Sequence, residues 1–141
     1  MLFDFGQQSN VQFALALTGG QTNANVNSAA IDTRGFSGVG VALIAGPAGA
    51  ATSTLNTGNA LALAFREGDT TAIGASTALS AGNLIKSENA TALNSVAYYS
   101  IRPTKRYVFA EVYKTNAATN FTNVNVAVVG VLGFPHTAPT D

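Results

Sequence analysis

The stretch Thr104–Pro135, TKRYVFAEVYKTNAATNFTNVNVAVVGVLGFP, determines the fold class of this chain. Read in steps of two residues it predicts two β-strands, because successive side chains of a strand point to opposite faces. One face of each strand is apolar, through Val108, Ala110 and Val112 in the first and Val124, Val126 and Val128 in the second. Residues 115–122 between them are rich in Asn, Ala and Thr, which favours a hairpin loop. The stretch therefore predicts a sheet with an apolar core.

Other segments of the chain show the same alternation between short turns. The predicted strands are Val11–Leu17, Ser37–Ala45, Asn59–Arg66 and Ser95–Ile101. Turns are predicted at Thr18-Gly19-Gly20, at Ile31–Phe36 and at the charged sequence Arg66-Glu67-Gly68-Asp69, and Thr70–Asn94 is predicted as loop with short strands. About six short strands without a strong helix indicate an all-β fold, an antiparallel β-sandwich with jelly-roll-like connections.

The chain divides into an N-terminal arm, residues 1–10, a single sandwich domain, residues 11–135, and a C-terminal tail, residues 136–141. The arm joins the apolar Leu2, Phe3 and Phe5 to a polar continuation, Gly6–Asn10. Two interpretations stay open. The arm is either an edge strand or frayed end, or a segment that orders on a neighbouring subunit.

Composition excludes several classes of function. The 141 residues contain no cysteine, and seven basic residues balance seven acidic ones. Thiolate sites are thereby excluded, and the long-range attraction typical of a nucleic-acid binder is missing. We expect no membrane span, because no run approaches the roughly 20 apolar residues that one requires. The opening Met1–Asp4 does not resemble a secretory signal, so we expect the protein to be made and kept as a soluble, unprocessed chain.

The faces of the predicted strands carry an unusual set of residues. Charged residues make up 10% of the chain, against about 25% in ordinary soluble domains. Where large apolar residues occupy one face of a strand, the other face is Ala, Gly, Asn or Thr and seldom Lys or Glu. Solvated faces of antiparallel strands usually carry polar or charged residues. Small neutral faces therefore favour packing against another protein, although an alanine-rich surface without a partner is the alternative.

No set of catalytic residues is recognisable. The single histidine, His136, lies in the tail, and Gly35-Phe36-Ser37-Gly38 departs from the nucleophile-elbow pattern at Val39. Glu67, Asp69 and Glu111 are better explained as salt-bridge partners of Arg66 or Arg106 than as glycosidase carboxylates. We therefore predict a protein that is not an enzyme, with no catalytic residue, no metal site and no cofactor.

Basic and aromatic residues offer two further interpretations. Arg102, Lys105 and Arg106 form the only basic cluster, and three charges on a neutral chain are a weak indication of nucleic-acid binding. Pairing with acids of this chain or of a partner is the better explanation. A carbohydrate-binding sandwich would instead use tyrosines as stacking platforms, namely Tyr98, Tyr99, Tyr107 or Tyr113.

Five blocks of the chain resemble small structural proteins of tailed-phage virions. They are Met1-Leu2-Phe3-Asp4, Ile31–Val39 (IDTRGFSGV), Arg66-Glu67-Gly68-Asp69, Thr104–Val108 (TKRYV) and the ending Val126–Pro135. The chain looks most like the capsid decoration, or cement, proteins. The resemblance implies a β-sandwich or jelly roll, an assembly of two or three identical subunits and no catalysis. It also implies binding to the outside of the head where major capsid protein subunits meet, which stabilises the shell.

The resulting hypothesis is a phage capsid decoration protein that resides on the outer surface of the virion. Its expected partners are the major capsid protein and further copies of itself, as a homodimer or homotrimer, with no nucleic acid and no membrane. The candidate contact residues are Leu2, Phe3 and Phe5 in the arm, and Arg34, Arg66, Glu67 and Asp69 in the charged turns. The alternatives are a head-tail joining or tail structural protein, and the carbohydrate-binding sandwich.

Overall fold

The computed structural model describes residues 10–21, 25–46, 55–116 and 124–135. In chain order the strands are β1 (Asn10–Gln21), β2 (Val26–Asn27), β3 (Ile31–Asp32), β4 (Phe36–Ala45), β5 (Leu61–Gly68), β6 (Thr77–Ala78), β7 (Leu84–Lys86), β8 (Ser95–Ile101), β9 (Tyr107–Lys114) and β10 (Val124–Pro135). Two single-turn 3₁₀ helices, Ile73–Ala75 and Ala81–Asn83, interrupt the segment between β5 and β7. The predicted tail, residues 136–141, lies outside the described residues, as does the arm except for Asn10.

The ten strands of the described residues form two antiparallel sheets that pack face to face. The front sheet has the order β1-β10-β4-β8-β7, and the back sheet has the order β2-β9-β5-β6 with β3 also paired to β9. The predicted all-β antiparallel sandwich is confirmed. Jelly-roll connections stay a prediction. Because both sheets are antiparallel, each can bury one face and leave the other for solvent or for a partner.

The two strands of the fold-determining stretch are not a hairpin. β10 pairs with β1 and β4 in the front sheet, whereas β9 pairs with β5, β2 and β3 in the back sheet. The hairpin prediction was therefore wrong, and the connection between them passes from one sheet to the other. Alternation of apolar and polar residues shows which side of a strand is buried, but it does not show which strand lies beside it. Neighbouring strands are joined by backbone hydrogen bonds, which a strand distant along the chain can form equally well.

The predicted inner faces of both strands are confirmed. Val108, Ala110 and Val112 of β9 and Val124, Val126 and Val128 of β10 are buried in one apolar cluster. Residues on β4, β5 and β8 also belong to this core between the sheets, among them Val39, Val41, Leu43, Leu61, Leu63, Phe65, Ala97, Tyr99 and Ile101. Burial of these side chains from both sheets is the main favourable contribution to folding.

Two predicted turns belong instead to strands. β1 continues through Thr18-Gly19-Gly20, with register shifts that absorb the extra residues, and glycines are tolerated at such bulges. β5 extends to Gly68, so Arg66 and Glu67 are strand residues opposite Phe109 and Val108. The charged residues do not end the strand because each side chain finds a polar partner.

Tyr99 connects the two sheets through its hydroxyl group. The backbone N–H of Leu63 in β5 donates to Tyr99 Oη at 3.0 Å, and Tyr99 Oη donates to Asn89 Oδ1 at 3.4 Å. The Tyr99 ring packs edge-on against Phe65, with 5.5 Å between ring centroids. β6 pairs with β5 only at Arg66 and Glu67, so it does not reach Leu63. The Tyr99 hydroxyl therefore accepts the Leu63 N–H in place of a neighbouring strand.

Replacing Tyr99 by Phe should destabilise the fold by about 1–3 kcal/mol, because the buried Leu63 N–H loses its acceptor. Burial raises the pKa of the Tyr99 phenol, so the folded state holds the proton more tightly than the unfolded chain does. The contribution of the Tyr99 hydroxyl to the free energy of unfolding is complete below the ordinary tyrosine pKa of about 10. It is lost as the pH rises through the raised pKa of the folded state. Urea unfolding of wild type and Tyr99→Phe between neutral and alkaline pH measures both effects.

The control is Tyr98→Phe, which removes the same atom from an exposed ring. We expect its unfolding free energy to stay within about 0.5 kcal/mol of wild type. Equal destabilisation by both substitutions, or an alkaline decline that Tyr99→Phe leaves unchanged, would show that the hydroxyl does not connect the sheets.

Candidate functional site

The outer face of the front sheet is apolar across three strands. The register places Ile44 between Val96 and Ala127, Ala42 between Tyr98 and Val129, and Gly40 between Ser100 and Val131. These residues face outward because their chain neighbours Val39, Val41, Leu43, Ala97 and Tyr99 point into the core. We call the outward set of Ala42, Ile44, Val96, Tyr98, Val129 and Val131 the docking face.

The docking face and the adjoining strand β7 expose large apolar side chains. Val96 is 41% exposed, Tyr98 53% and Ile85 54%, and together with Leu84 they are the exposed large hydrophobic residues among those described. All four lie on the neighbouring strands β7 and β8, with Leu84 opposite Ile101 and Lys86 opposite Ser100. Val96 and Tyr98 lie on one face of β8, and a group of exposed apolar residues is typical of an interaction site.

A groove of about 680 Å³ lies at one end of the docking face. Three of the residues that line it, Gly38, Gly40 and Gly133, have no side chain to fill this space, and Val131 and Ile85 provide apolar walls. A Cβ atom added at Gly133 would meet no heavy atom within 4 Å, and one added at Gly40 would meet only the Val131 carbonyl oxygen, at 3.8 Å. Arg102 also lines the groove.

The charges beside the docking face are balanced locally. Lys86 Nζ lies 3.7 Å from Glu88 Oε2 and 5.8 Å from the centroid of the Tyr98 ring. Glu88 Oε2 also accepts the Tyr98 backbone N–H at 3.3 Å. The cation therefore packs on the aromatic ring while the carboxylate compensates its charge. A partner that covers Tyr98 meets a surface without net charge at this position.

A polar cluster occupies the end of the sandwich formed by the β3–β4 turn, the end of β5 and the turn before β9. Glu67, only 6% exposed, accepts hydrogen bonds from Thr104 N at 2.7 Å, Thr104 Oγ1 at 2.8 Å and Lys105 N at 3.3 Å. Lys105 Nζ in turn lies 3.2 Å from Asp69 Oδ2. The carboxylate of Glu67 thus holds the turn that leads into β9.

Asp32 and Arg106 form a bidentate ion pair in this polar cluster. Arg106 Nε donates to Asp32 Oδ1 at 3.0 Å and Arg106 Nη2 donates to Asp32 Oδ2 at 2.7 Å, while Arg34 N donates to Asp32 Oδ1 at 3.0 Å. The hydrogen bond from Arg106, opposed by partial burial and assisted by the Arg34 N–H, lowers the pKa of Asp32 from 3.8 to about 2. The pair joins β3 to the start of β9.

The depressed pKa predicts a specific loss of stability in acid. The contribution of Asp32 is present above the unfolded pKa of 3.8 and is lost as the pH falls through the folded value of about 2. Thermal unfolding at pH 7 should therefore show Asp32→Asn to be less stable than wild type. The difference in unfolding temperature between Asp32→Asn and wild type should narrow below pH 4 and disappear near pH 2. Asp69→Asn, which alters an exposed carboxylate, should keep the acid decline; parallel curves for wild type and Asp32→Asn would contradict the prediction.

The structure separates the predicted contact residues into groups. Glu67 is buried on Thr104, and Arg66 donates to Ser76 through Nε at 2.9 Å and through Nη2 at 2.6 Å, so both have partners within the chain. Arg34 and Asp69 are exposed at the polar end. Leu2, Phe3 and Phe5 lie outside the described residues. A direct contact of any of these residues with a capsid or a second subunit stays a prediction.

The sequence singled out Tyr98 only as a stacking platform for carbohydrate, and it did not single out Leu84, Ile85 or Val96 as exposed apolar residues. A signal was present in Ser95–Ile101, where Val96 and Tyr98 occupy one face while Ala97, Tyr99 and Ile101 occupy the other. Both faces are apolar, so alternation alone does not separate them. The carbohydrate-binding alternative loses one of its platforms, since Tyr99 is 3% exposed and bonded to Leu63.

The described residues show neither a metal-binding group nor a membrane-spanning helix. Across 25–46, 55–116 and 124–133 no group of three acidic, histidine or cysteine residues is placed to hold a metal ion. Neither short helix in that part of the chain has the length or apolar character needed to cross a membrane. Comparison with known protein families, with characterised proteins and with solved structures found no match for this chain. Function is therefore inferred from the docking face and its charges.

Proposed function

We propose that this chain is a structural protein of a tailed-phage virion that binds the outer surface of the capsid between major capsid protein subunits and stabilises the head. The observation that carries the proposal is the docking face, an apolar surface that exposes Val96 and Tyr98 on a chain with formal net charge zero. Such a surface excludes water best against another protein.

The two outer faces of the sandwich differ, and the difference favours the front sheet as the side that contacts the shell. On the back sheet Arg66 bonds Ser76, and Glu111 Oε1 accepts from Asn25 Nδ2 at 2.7 Å. That face carries charged side chains with local partners, as a solvated face does. On β10, β4 and β8 the three central rows of the docking face carry no charged residue, and Lys86 lies at their edge, on β7 opposite Ser100.

Stabilisation by such a protein is mechanical. Each subunit contributes a modest interface, and association with further copies of itself converts single contacts into multivalent ones. The second contact of a linked pair forms at a high effective concentration, so the assembled layer binds far more tightly than one subunit. Subunits that bridge neighbouring capsid proteins then oppose their separation under internal DNA pressure.

Phage heads that lack this protein provide the test. Adding the purified chain should restore resistance to heat and to chelators, and particle images should place it on the outer head surface in many copies. Heads that are equally resistant with and without the chain would contradict the proposal. Rings of six or twelve copies at one vertex would contradict it as well, and would assign the chain to the head-tail joint.

A further inference from the structure

A second pocket, of about 470 Å³, lies where the polar end of the sandwich meets the groove. Two segments form it, the β3–β4 turn at residues 33–37 and the approach to β9 at residues 103–106. Ser37 lines both this pocket and the groove, so the pocket continues the groove end of the docking face. We call it the basic pocket because, of the described residues that line it, none is acidic and three are cationic: Arg34, Lys105 and Arg106.

One of the three cations differs from the other two in its contacts. Arg106 pairs with Asp32. Lys105 pairs with Asp69. Within the described residues the Arg34 guanidinium makes no hydrogen bond and no ion pair. The polar end as a whole shows the same excess, since it holds four cations against three carboxylates: Arg34, Arg66, Lys105 and Arg106 against Asp32, Glu67 and Asp69. One positive charge is therefore left for a ligand.

Hydrogen bonds hold the two segments together before any ligand binds. Thr33, 5% exposed, donates to the carbonyl oxygen of Arg106 through its backbone N–H at 2.8 Å and through Oγ1 at 2.7 Å. The Phe36 N–H closes the turn on Thr33 O at 3.0 Å. Gly35 at the corner has φ +84°, a left-handed value that glycine adopts without strain. A ligand therefore meets a formed pocket, which lowers the ordering cost of binding.

The charge and the walls of the basic pocket favour a carboxylate over a phosphate group. A carboxylate brings one negative charge, which equals the uncompensated charge of Arg34, whereas a phosphate monoester brings about 1.5–2 at neutral pH. The planar guanidinium matches both oxygens of a carboxylate. Phe36 and Pro103 also line the pocket, so an apolar residue beside the acid fits there. The matching ligand is a peptide segment with an acidic side chain next to an apolar one.

We propose that the basic pocket binds the carboxylate of an acidic side chain of the capsid protein, with the Arg34 guanidinium as its bidentate partner. The assignment of that carboxylate to the shell rests on the proposed function, whereas the pocket's preference for a carboxylate does not. Because the central rows of the docking face carry no charge on β10, β4 and β8, the ion pair at its end fixes the orientation of the subunit on the shell.

Amide NMR of the isolated chain tests the pocket without phage particles. The probe is acetyl-Glu-Leu-amide, and its control is the uncharged acetyl-Gln-Leu-amide of nearly the same shape. We expect saturable shifts at residues 33–37 and 104–106 from the Glu peptide alone. Arg34→Gln should weaken its binding about tenfold. Arg102→Gln, at an arginine that lines the groove and not the basic pocket, should leave the binding unchanged.

Two outcomes of the titration would overturn the proposal. One is the absence of saturable shifts, or equal binding of the Gln peptide. The other is stronger displacement of the Glu peptide by inorganic phosphate than by acetate at equal ionic strength, because the pocket would then select the higher charge.

Co-sedimentation with heads that lack the protein identifies the source of the carboxylate. Arg34→Gln should bind heads about tenfold more weakly than wild type, and Arg102→Gln should bind as wild type does. Both arginines are exposed, so thermal unfolding of both variants should match wild type. Equal binding by wild type and Arg34→Gln would overturn the proposal and leave the proposed function standing. If wild type itself does not bind heads, the proposed function and the shell as source both fail, and the peptide titration still decides on the carboxylate site.

Discussion

Placing a charge on the docking face should abolish the proposed capsid binding and leave the fold intact. In Val96→Lys, an ammonium group would be buried against the capsid without a partner, which costs several kcal/mol. We expect the affinity for heads to fall by about a hundredfold or more, as for a residue that the interface fully desolvates. Val96 is 41% exposed in the isolated chain, so its unfolding free energy should change by no more than about 0.5 kcal/mol.

Co-sedimentation of the purified chain with heads that lack it measures this effect. Thr77→Lys is the matched control, because it adds the same charge at an exposed residue of β6 on the other sheet. The control should bind as wild type does, and thermal unfolding of both variants should match wild type. If Val96→Lys binds as well as Thr77→Lys, the front sheet is not the side that contacts the shell.

Truncation of Ile31 should produce a large loss of stability. Ile31 is fully buried at the start of β3, and its side chain crosses the core to Gly130 of the front sheet. A Cβ atom added at Gly130 would lie 3.1 Å from Ile31 Cδ1. Ile31→Ala removes this packing and leaves a cavity, so we expect a loss of about 2–5 kcal/mol in urea unfolding. Ile85→Ala, the same truncation at a residue 54% exposed, should have little effect.

A double-mutant cycle tests whether Ile31 and Gly130 pack against each other. Gly130→Ala alone should destabilise the chain by about 1 kcal/mol or more, because the new methyl group crowds Ile31. In the Ile31→Ala background the same methyl group enters the cavity, and its effect should become neutral or stabilising. A non-zero interaction free energy between the two positions is the expected result. Additive effects would show that the two sheets do not meet at this position.

Alternation of apolar residues predicted much of the fold from the sequence. It gave the sandwich class, the strands Ser37–Ala45 and Ser95–Ile101 within one residue, and the buried sides of β9 and β10. It also indicated small neutral outer faces, which Gly40 and Ala42 fit but the larger Val96 and Tyr98 of the docking face do not. These features were predictable because the side of a strand that a residue occupies depends only on its position in the chain.

The tertiary structure decided which strands lie side by side. It also decided which hydrogen-bond or ion-pair partner each charged side chain has. Nothing in the sequence of Thr104–Pro135 separates β9 and β10 into different sheets. Nor does it show that Glu67 is buried on Thr104, or that the carboxylate of Asp32 pairs with the side chain of Arg106. These contacts join residues far apart along the chain. Their geometry exists only after both sheets have formed, because backbone pairing accepts almost any neighbour and ion pairs depend on distances that local sequence does not set.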